Sequence, residues 1–168
     1  FKIADFVELE IDINRRSSCK SYHSATHILH QALRDTLGNH VSQKGSLVSY
    51  DRLRFDFSHH KSLSEGEIKN IEGIVNNIIN SNLNVETKLM KSEDAINSGA
   101  LALFGEKYDD EVRVLSIGDN NSSSYSVELC GGTHVEKTSE IGNFKIISES
   151  SAASGIRRIE ALRGNDLI

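Results

Sequence analysis

Apolar residues recur at helical spacing along only two long stretches of this 168-residue chain, and most of its other patterned segments alternate. Residues 22–37 carry Ala25, Ile28, Leu29, Ala32, Leu33 and Leu37 on one face and stop at Gly38, which suits a helix C-terminal cap. In the second stretch, Ser64 and Glu67 form a capping box ahead of Ile68, Ile71, Ile74, Val75, Ile78 and Ile79. Alternation predicts a strand over 2–13 (Val7, Leu9, Ile11, Ile13) and a hairpin over 40–58 around Ser49-Tyr50-Asp51. Further strands are expected near 83–90, 111–117, 124–129, 143–149 and 156–162, with a short helix near 93–98. Strands interleaved irregularly with two long helices predict an α+β domain, a mixed or antiparallel sheet packed with those helices, rather than a βαβ repeat.

Composition narrows the function classes. Nineteen Lys and Arg against 24 Asp and Glu leave a net charge of −5, which argues against a broad basic surface for nucleic acid but not against a local RNA contact. No apolar run approaches the ~18 residues of a membrane span, and FKIADFVELE has neither a basic nor a hydrophobic leader segment. Two cysteines, Cys19 and Cys130, cannot build a disulfide framework, so a reduced, cytoplasmic setting is expected. Because Phe1 is not an initiator Met, the chain reads as a piece of a longer one.

The chemistry starts on the first helical stretch. His23 and His27 are four residues apart, about 40° around a helix axis, so both rings can reach one metal, and His30 shares their face. Cys130-Gly131-Gly132-Thr133-His134 places a thiolate and an imidazole four apart after a strand, with two glycines expected to allow a tight backbone path. Together the pairs make a His, His, Cys, His set of the donors that zinc prefers, whereas Cys19 lacks a ligand partner at metal spacing. A zinc peptidase of the HExxH type would need a glutamate where Ser24 stands. Arg157 and Arg158 alternate on a strand, so one is expected to pair with a carboxylate such as Glu160 or Glu128 and the other to meet phosphate. His40 could bind the helix's last carbonyls or RNA, Lys44 beside Gly45 could contact a terminal adenosine, His59 and His60 read as a solvated loop, and Lys107 and Tyr108 could flank a pocket.

Six blocks in this order, HSATHILHQAL, HVSQKGSLV, DRLRFDFSH, ALFGEKY, CGGTHV and GIRRIEAL, resemble the editing domain of alanyl-tRNA synthetase, itself similar to freestanding alanyl-tRNA editing proteins and to the threonyl-tRNA synthetase editing domain. The resemblance implies that fold and hydrolysis of the ester in tRNA(Ala) mischarged with serine or glycine. It places zinc ligands on His23, His27, Cys130 and His134, and editing-pocket positions on Thr26, Gln43 and Ser46. Residues 1–14 resemble the tail of a β-barrel that precedes the editing domain, here 15–168, and Tyr22 stands where the family often has Asn. Nothing in the chain resembles an aminoacylation domain, so it is not expected to charge tRNA. The implied partners are the tRNA(Ala) acceptor end and the rest of a synthetase.

The residues are compatible with that chemistry. An aminoacyl ester is already activated, so its hydrolysis needs an aligned water and help for the developing oxyanion more than a strong base. Four protein ligands would close a zinc ion to water, which favours a metal that organises the pocket or holds the substrate amino group over one that activates water. A zinc-stabilised tRNA-binding module and a small-ester metallohydrolase are the alternatives.

Overall fold

The computed structural model describes residues 2–101, 109–118 and 124–167. Its architecture is α+β: helices α1 (Ile13–Leu37), α2 (Glu65–Asn80) and α3 (Ser92–Asn97) with strands β1 (Gln43–Val48), β2 (Leu53–Ser58), β3 (Val85–Lys91), β4 (Glu111–Ile117), β5 (Ser126–Leu129), β6 (Phe144–Ala153) and β7 (Ile156–Arg163). Two antiparallel sheets form, one ordered β1-β2-β7-β6 and one ordered β3-β4-β5.

The main core lies where α1 and α2 cover the larger sheet. Tyr22, Ala25, Ile28, Leu29 and Leu33 of α1 are fully buried, and so are Leu53, Phe55 and Phe57 of β2, the alternating apolar residues of the predicted hairpin. The α2 stripe contributes Ile71, Val75 and Ile79, and its predicted capping box forms, with Ser64 Oγ accepting from Glu67 N and the Glu67 carboxylate accepting from Ser64 N. α2 also seals the outer edge of β6. Asn76 accepts from Phe144 N and donates to Phe144 O, and Glu72 Oε1 accepts from Ile146 N at 2.7 Å, so backbone groups that would invite another strand are satisfied by side chains. Thr138, fully buried, accepts from Leu83 N and donates to Ile78 O, tying the segment after Cys130-Gly131-Gly132-Thr133-His134 to the end of α2.

Two expectations need correction. Residues 2–12 form no strand: Ile3, Phe6 and Leu9 stand almost wholly in solvent, and no strand among the described residues pairs with them, so alternation alone does not make a β edge. α1 begins nine residues before the expected start, because Asp12 Oδ1 accepts from Arg15 N at 2.9 Å and caps polar opening turns that carry no apolar stripe. Among the described residues, no helix is long and apolar enough to cross a membrane. Lys107, Tyr108 and the block ALFGEKY lie outside the described residues.

Candidate metal centre and pocket

One stripe of α1, formed by His23, Thr26, His27, His30 and Arg34, faces a cavity of about 210 Å³. Their spacing of three, four, seven and eleven residues keeps them on one side of a helix whose opposite side is packed into the core. The strand β5 brings Glu128 and Leu129 to the same cavity, with Cys130 directly after it, and β1 brings Gln43 and Ser46. Pure alternation would point residues 43 and 46 to opposite faces of a strand. A β-bulge between Gln43 and Gly45 restores them to one face: Gln43 lies opposite Phe57 and Ser46 opposite Phe55, with Lys44 as the extra residue.

The two expected ligand pairs converge. One donor atom from each of His23, His27, Cys130 and His134 lies within 4.8 Å of all the others. Cys130 Sγ is 3.3 Å from His134 Nε2 and 3.5 Å from His23 Nε2. A tetrahedral metal with zinc-like bond lengths spans roughly 3.3–3.6 Å between such donors, and both of these Cys130 distances fall in that range. His27 Nε2 is buried and without a hydrogen-bond partner, which a metal bond would supply.

Neighbouring groups fix the orientation of these rings. Glu128, 6% exposed, accepts from His27 Nδ1 at 2.7 Å through one oxygen and from His30 Nδ1 at 3.0 Å through the other. A carboxylate on the far nitrogen turns the near nitrogen of His27 toward the cluster, the arrangement that commonly supports a metal-binding histidine. Ser24 Oγ accepts from Val135 N and lies 3.2 Å from His134 Nδ1, so the residue standing where a peptidase would need its glutamate anchors the Cys-His loop instead. The expected path brings Cys130 and His134 together, and Gly132 serves it by its lack of a side chain and not by left-handed backbone: a Cβ there would lie 2.1 Å from His23 Cε1, whereas one on Gly131 would meet nothing within 4 Å.

The electrostatics of the cluster favour a thiolate. Burial pushes the Cys130 thiol up, but hydrogen bonds with His134 and His23 and the nearby His27 imidazole outweigh it and bring the thiol down to about 3. Burial likewise opposes charge on His27, yet the Glu128 carboxylate beside it raises the imidazole to about 10, and the same attraction overcomes burial to hold Glu128 below the usual carboxylate range. His134 is pushed down, first by burial and then by the neighbouring His23 and His27, against the raising influence of Cys130.

The remaining candidates divide. Thr26, Gln43 and Ser46 share the cavity with three of the metal-type donors, and Thr26 Oγ1 already donates to Tyr22 O at 2.9 Å. Lys44 is exposed and does not line the cavity. Arg157 is held by both oxygens of Glu149, and Arg158 by both oxygens of Asp56, so the carboxylate partners are neither Glu160 nor Glu128. His40 faces His59 at 2.9 Å, while Arg34 reaches the carbonyls of Asn39 and Val41 at the end of α1. Cys19 stands apart from the cluster. Glu128 was missed as an organising residue, although its place two residues before Cys130 on an alternating strand is a signal that it shares that residue's face.

Residues 112–160 match the family described as Threonyl and Alanyl tRNA synthetase second additional domain. The chain is 58% identical over 166 residues to an alanine–tRNA ligase of Parvibaculum lavamentivorans and 59% identical over 163 residues to one of Sphingopyxis alaskensis, each match covering 97% of this chain. It spans 19% and 18% of those two relatives. The resemblance to the editing domain of alanyl-tRNA synthetase is therefore borne out along nearly the whole chain.

Proposed function

We propose that this chain is the editing module of an alanine–tRNA ligase and hydrolyses the ester bond of tRNA(Ala) mischarged with serine or glycine. The observation that carries this reading is that three of the four clustered donors, His23, His27 and Cys130, open onto one cavity with the polar side chains of Thr26, Gln43 and Ser46. His23, His27, Cys130 and His134 would hold zinc, which when bound supplies positive charge to order the pocket and attract electron-rich groups of the substrate.

The chain's own residues do the rest. Serine differs from alanine by one hydroxyl, and a polar pocket gains when that group is present and leaves buried partners unpaired when it is absent. Thr26 offers an oxygen that can accept, because its proton is engaged by Tyr22 O. Gln43, from the bulged start of β1, carries both donors and an acceptor and is suited to hold water against the ester carbon. Ser46 lines the same wall and adds a second hydroxyl. Lys44, exposed one residue from Gln43, would meet the terminal nucleotide. With Arg157 engaged by Glu149, the phosphate contact falls to Lys44 in this reading. Residues 1–14, apolar and exposed around Phe6 and Leu9, would continue from a preceding β-barrel of the parent ligase.

The test is release of free amino acid from seryl-, glycyl- and alanyl-tRNA(Ala) incubated with the chain. Seryl and glycyl esters should be cleaved faster than the alanyl ester. Binding of tRNA without any cleavage would favour a binding module, and cleavage of small amino acid esters with no preference for the tRNA-linked ones would favour a general esterase.

A further inference from the structure

His30 lines the cavity between Thr26 and Arg34 but is not one of the four clustered donors. It is 5% exposed, and its ring packs against Phe55 with centroids 5.4 Å apart. Nδ1 is 3.0 Å from Glu128 Oε1, which leaves Nε2 as the ring's other hydrogen-bonding atom, and Nε2 is buried with no partner. A buried polar atom without a partner is uncommon enough in a folded protein to require a reason. For His27 the reason is the metal cluster. For His30 that explanation fails, because the ring stands outside the cluster.

We propose that His30 Nε2 is the hydrogen-bond partner of the side-chain hydroxyl on the bound aminoacyl group, making His30 a specificity-determining residue. The proposal rests on the editing reading above and names a further residue of its pocket. Thr26 and His30 are four residues apart, one turn along the same face of α1, so a short side chain entering the cavity can meet both. A hydroxyl is both donor and acceptor and suits Nε2 with or without its proton, whereas the methyl of alanine satisfies neither Nε2 nor Thr26. Glu128 keeps the ring in place through the opposite nitrogen, in the same way that it holds His27.

Two substitutions separate recognition from support. In His30→Asn the amide can overlay Nδ1 and keep the Glu128 bond while the Nε2 position is empty. In His30→Gln the amide can reach the Nε2 position while the Glu128 bond is lost. Single-turnover hydrolysis of seryl- and glycyl-tRNA(Ala), with zinc content measured on each sample, should show the seryl-to-glycyl ratio falling about 3–10-fold in His30→Asn, the size expected for one hydrogen bond, and less in His30→Gln. The reverse order, or an unchanged ratio in His30→Asn, would overturn the proposal by showing that His30 acts only through Glu128. Nitrogen-15 spectra of the wild-type imidazoles provide a readout that needs neither variant nor turnover. Adding 3′-deoxy-3′-serylamino-adenosine should shift the His30 Nε2 resonance and the alanyl analogue should not; equal responses would also overturn it. Wild-type protein that cleaves no seryl-tRNA(Ala) would refute the editing reading itself, and is distinguished from failure of the His30 assignment by that control.

Discussion

Replacing Gly132 by alanine tests the metal centre through a residue that donates nothing to it. The added Cβ would fall 2.1 Å from His23 Cε1 and 2.5 Å from His23 Nδ1. Reaching an ordinary contact near 3.4 Å requires a relative displacement of about 1.3 Å, several times the ~0.2 Å latitude that metal–ligand distances allow. Without a metal the adjustment is inexpensive, because His23 is half-buried and its ring can turn aside. With one, turning aside gives up a ligand. Changes to groups that only orient a ligand already cost 10–100-fold in metal affinity, so Gly132→Ala should weaken zinc binding by about 100-fold or more, roughly 2.7 kcal/mol, with the fold retained. Gly131→Ala is the matched control: its Cβ meets nothing within 4 Å and its backbone is not left-handed. Zinc competition against a chromophoric chelator, with circular dichroism on the same samples, reads both. Wild-type affinity in Gly132→Ala, or equal weakening in Gly131→Ala, would refute the reasoning.

Thr26→Val keeps the shape of the side chain and removes its oxygen, so the seryl-to-alanyl hydrolysis ratio should fall by about 0.5–1.5 kcal/mol while zinc content stays normal; an unchanged ratio would move recognition elsewhere in the pocket. Cys19→Ser should retain zinc and hydrolysis because Cys19 is outside the cluster, and loss of zinc on metal analysis would count against Cys130 as the thiolate ligand. The hydrogen bonds from Arg158 hold Asp56 below its ordinary carboxylate value, against the raising effect of its burial, so this pair stabilises the fold above the unfolded-state carboxylate pKa and the contribution is lost as pH falls through Asp56's depressed one. Thermal melts of Asp56→Asn should therefore lie below wild type at neutral pH and converge with it in acid; a gap that widens in acid would contradict the assignment.

Much of the architecture is legible in the sequence because local and tertiary preferences agree. The capping box at Ser64 and the isoleucine stripe after it describe α2 without help from the rest of the chain. The four donors are legible for a chemical reason, since Cys and His at helical and loop spacing combine into few other structures. What is not legible depends on partners that sequence does not name. The first turns of α1 are polar, so only the Asp12 cap marks their start. The Gln43 bulge is a matter of register against β2, and without it Ser46 would face away from Gln43. Glu128 looks like a core carboxylate available to any arginine until α1 is packed beside β5, where two histidines occupy it. The exposed segment before Ile13 shows the converse, a β-like pattern with no partner strand among the described residues.

Hydrolysis at the pocket is expected to depend on the neighbouring Cys and His cluster. Metal analysis and single-turnover hydrolysis of seryl-tRNA(Ala), performed on the same preparations of wild type and Cys130→Ala, measure that dependence. The expected result is close to one zinc per chain in wild type, with zinc and hydrolysis lost together in the variant. Full activity in a wild-type sample that contains no metal would contradict it.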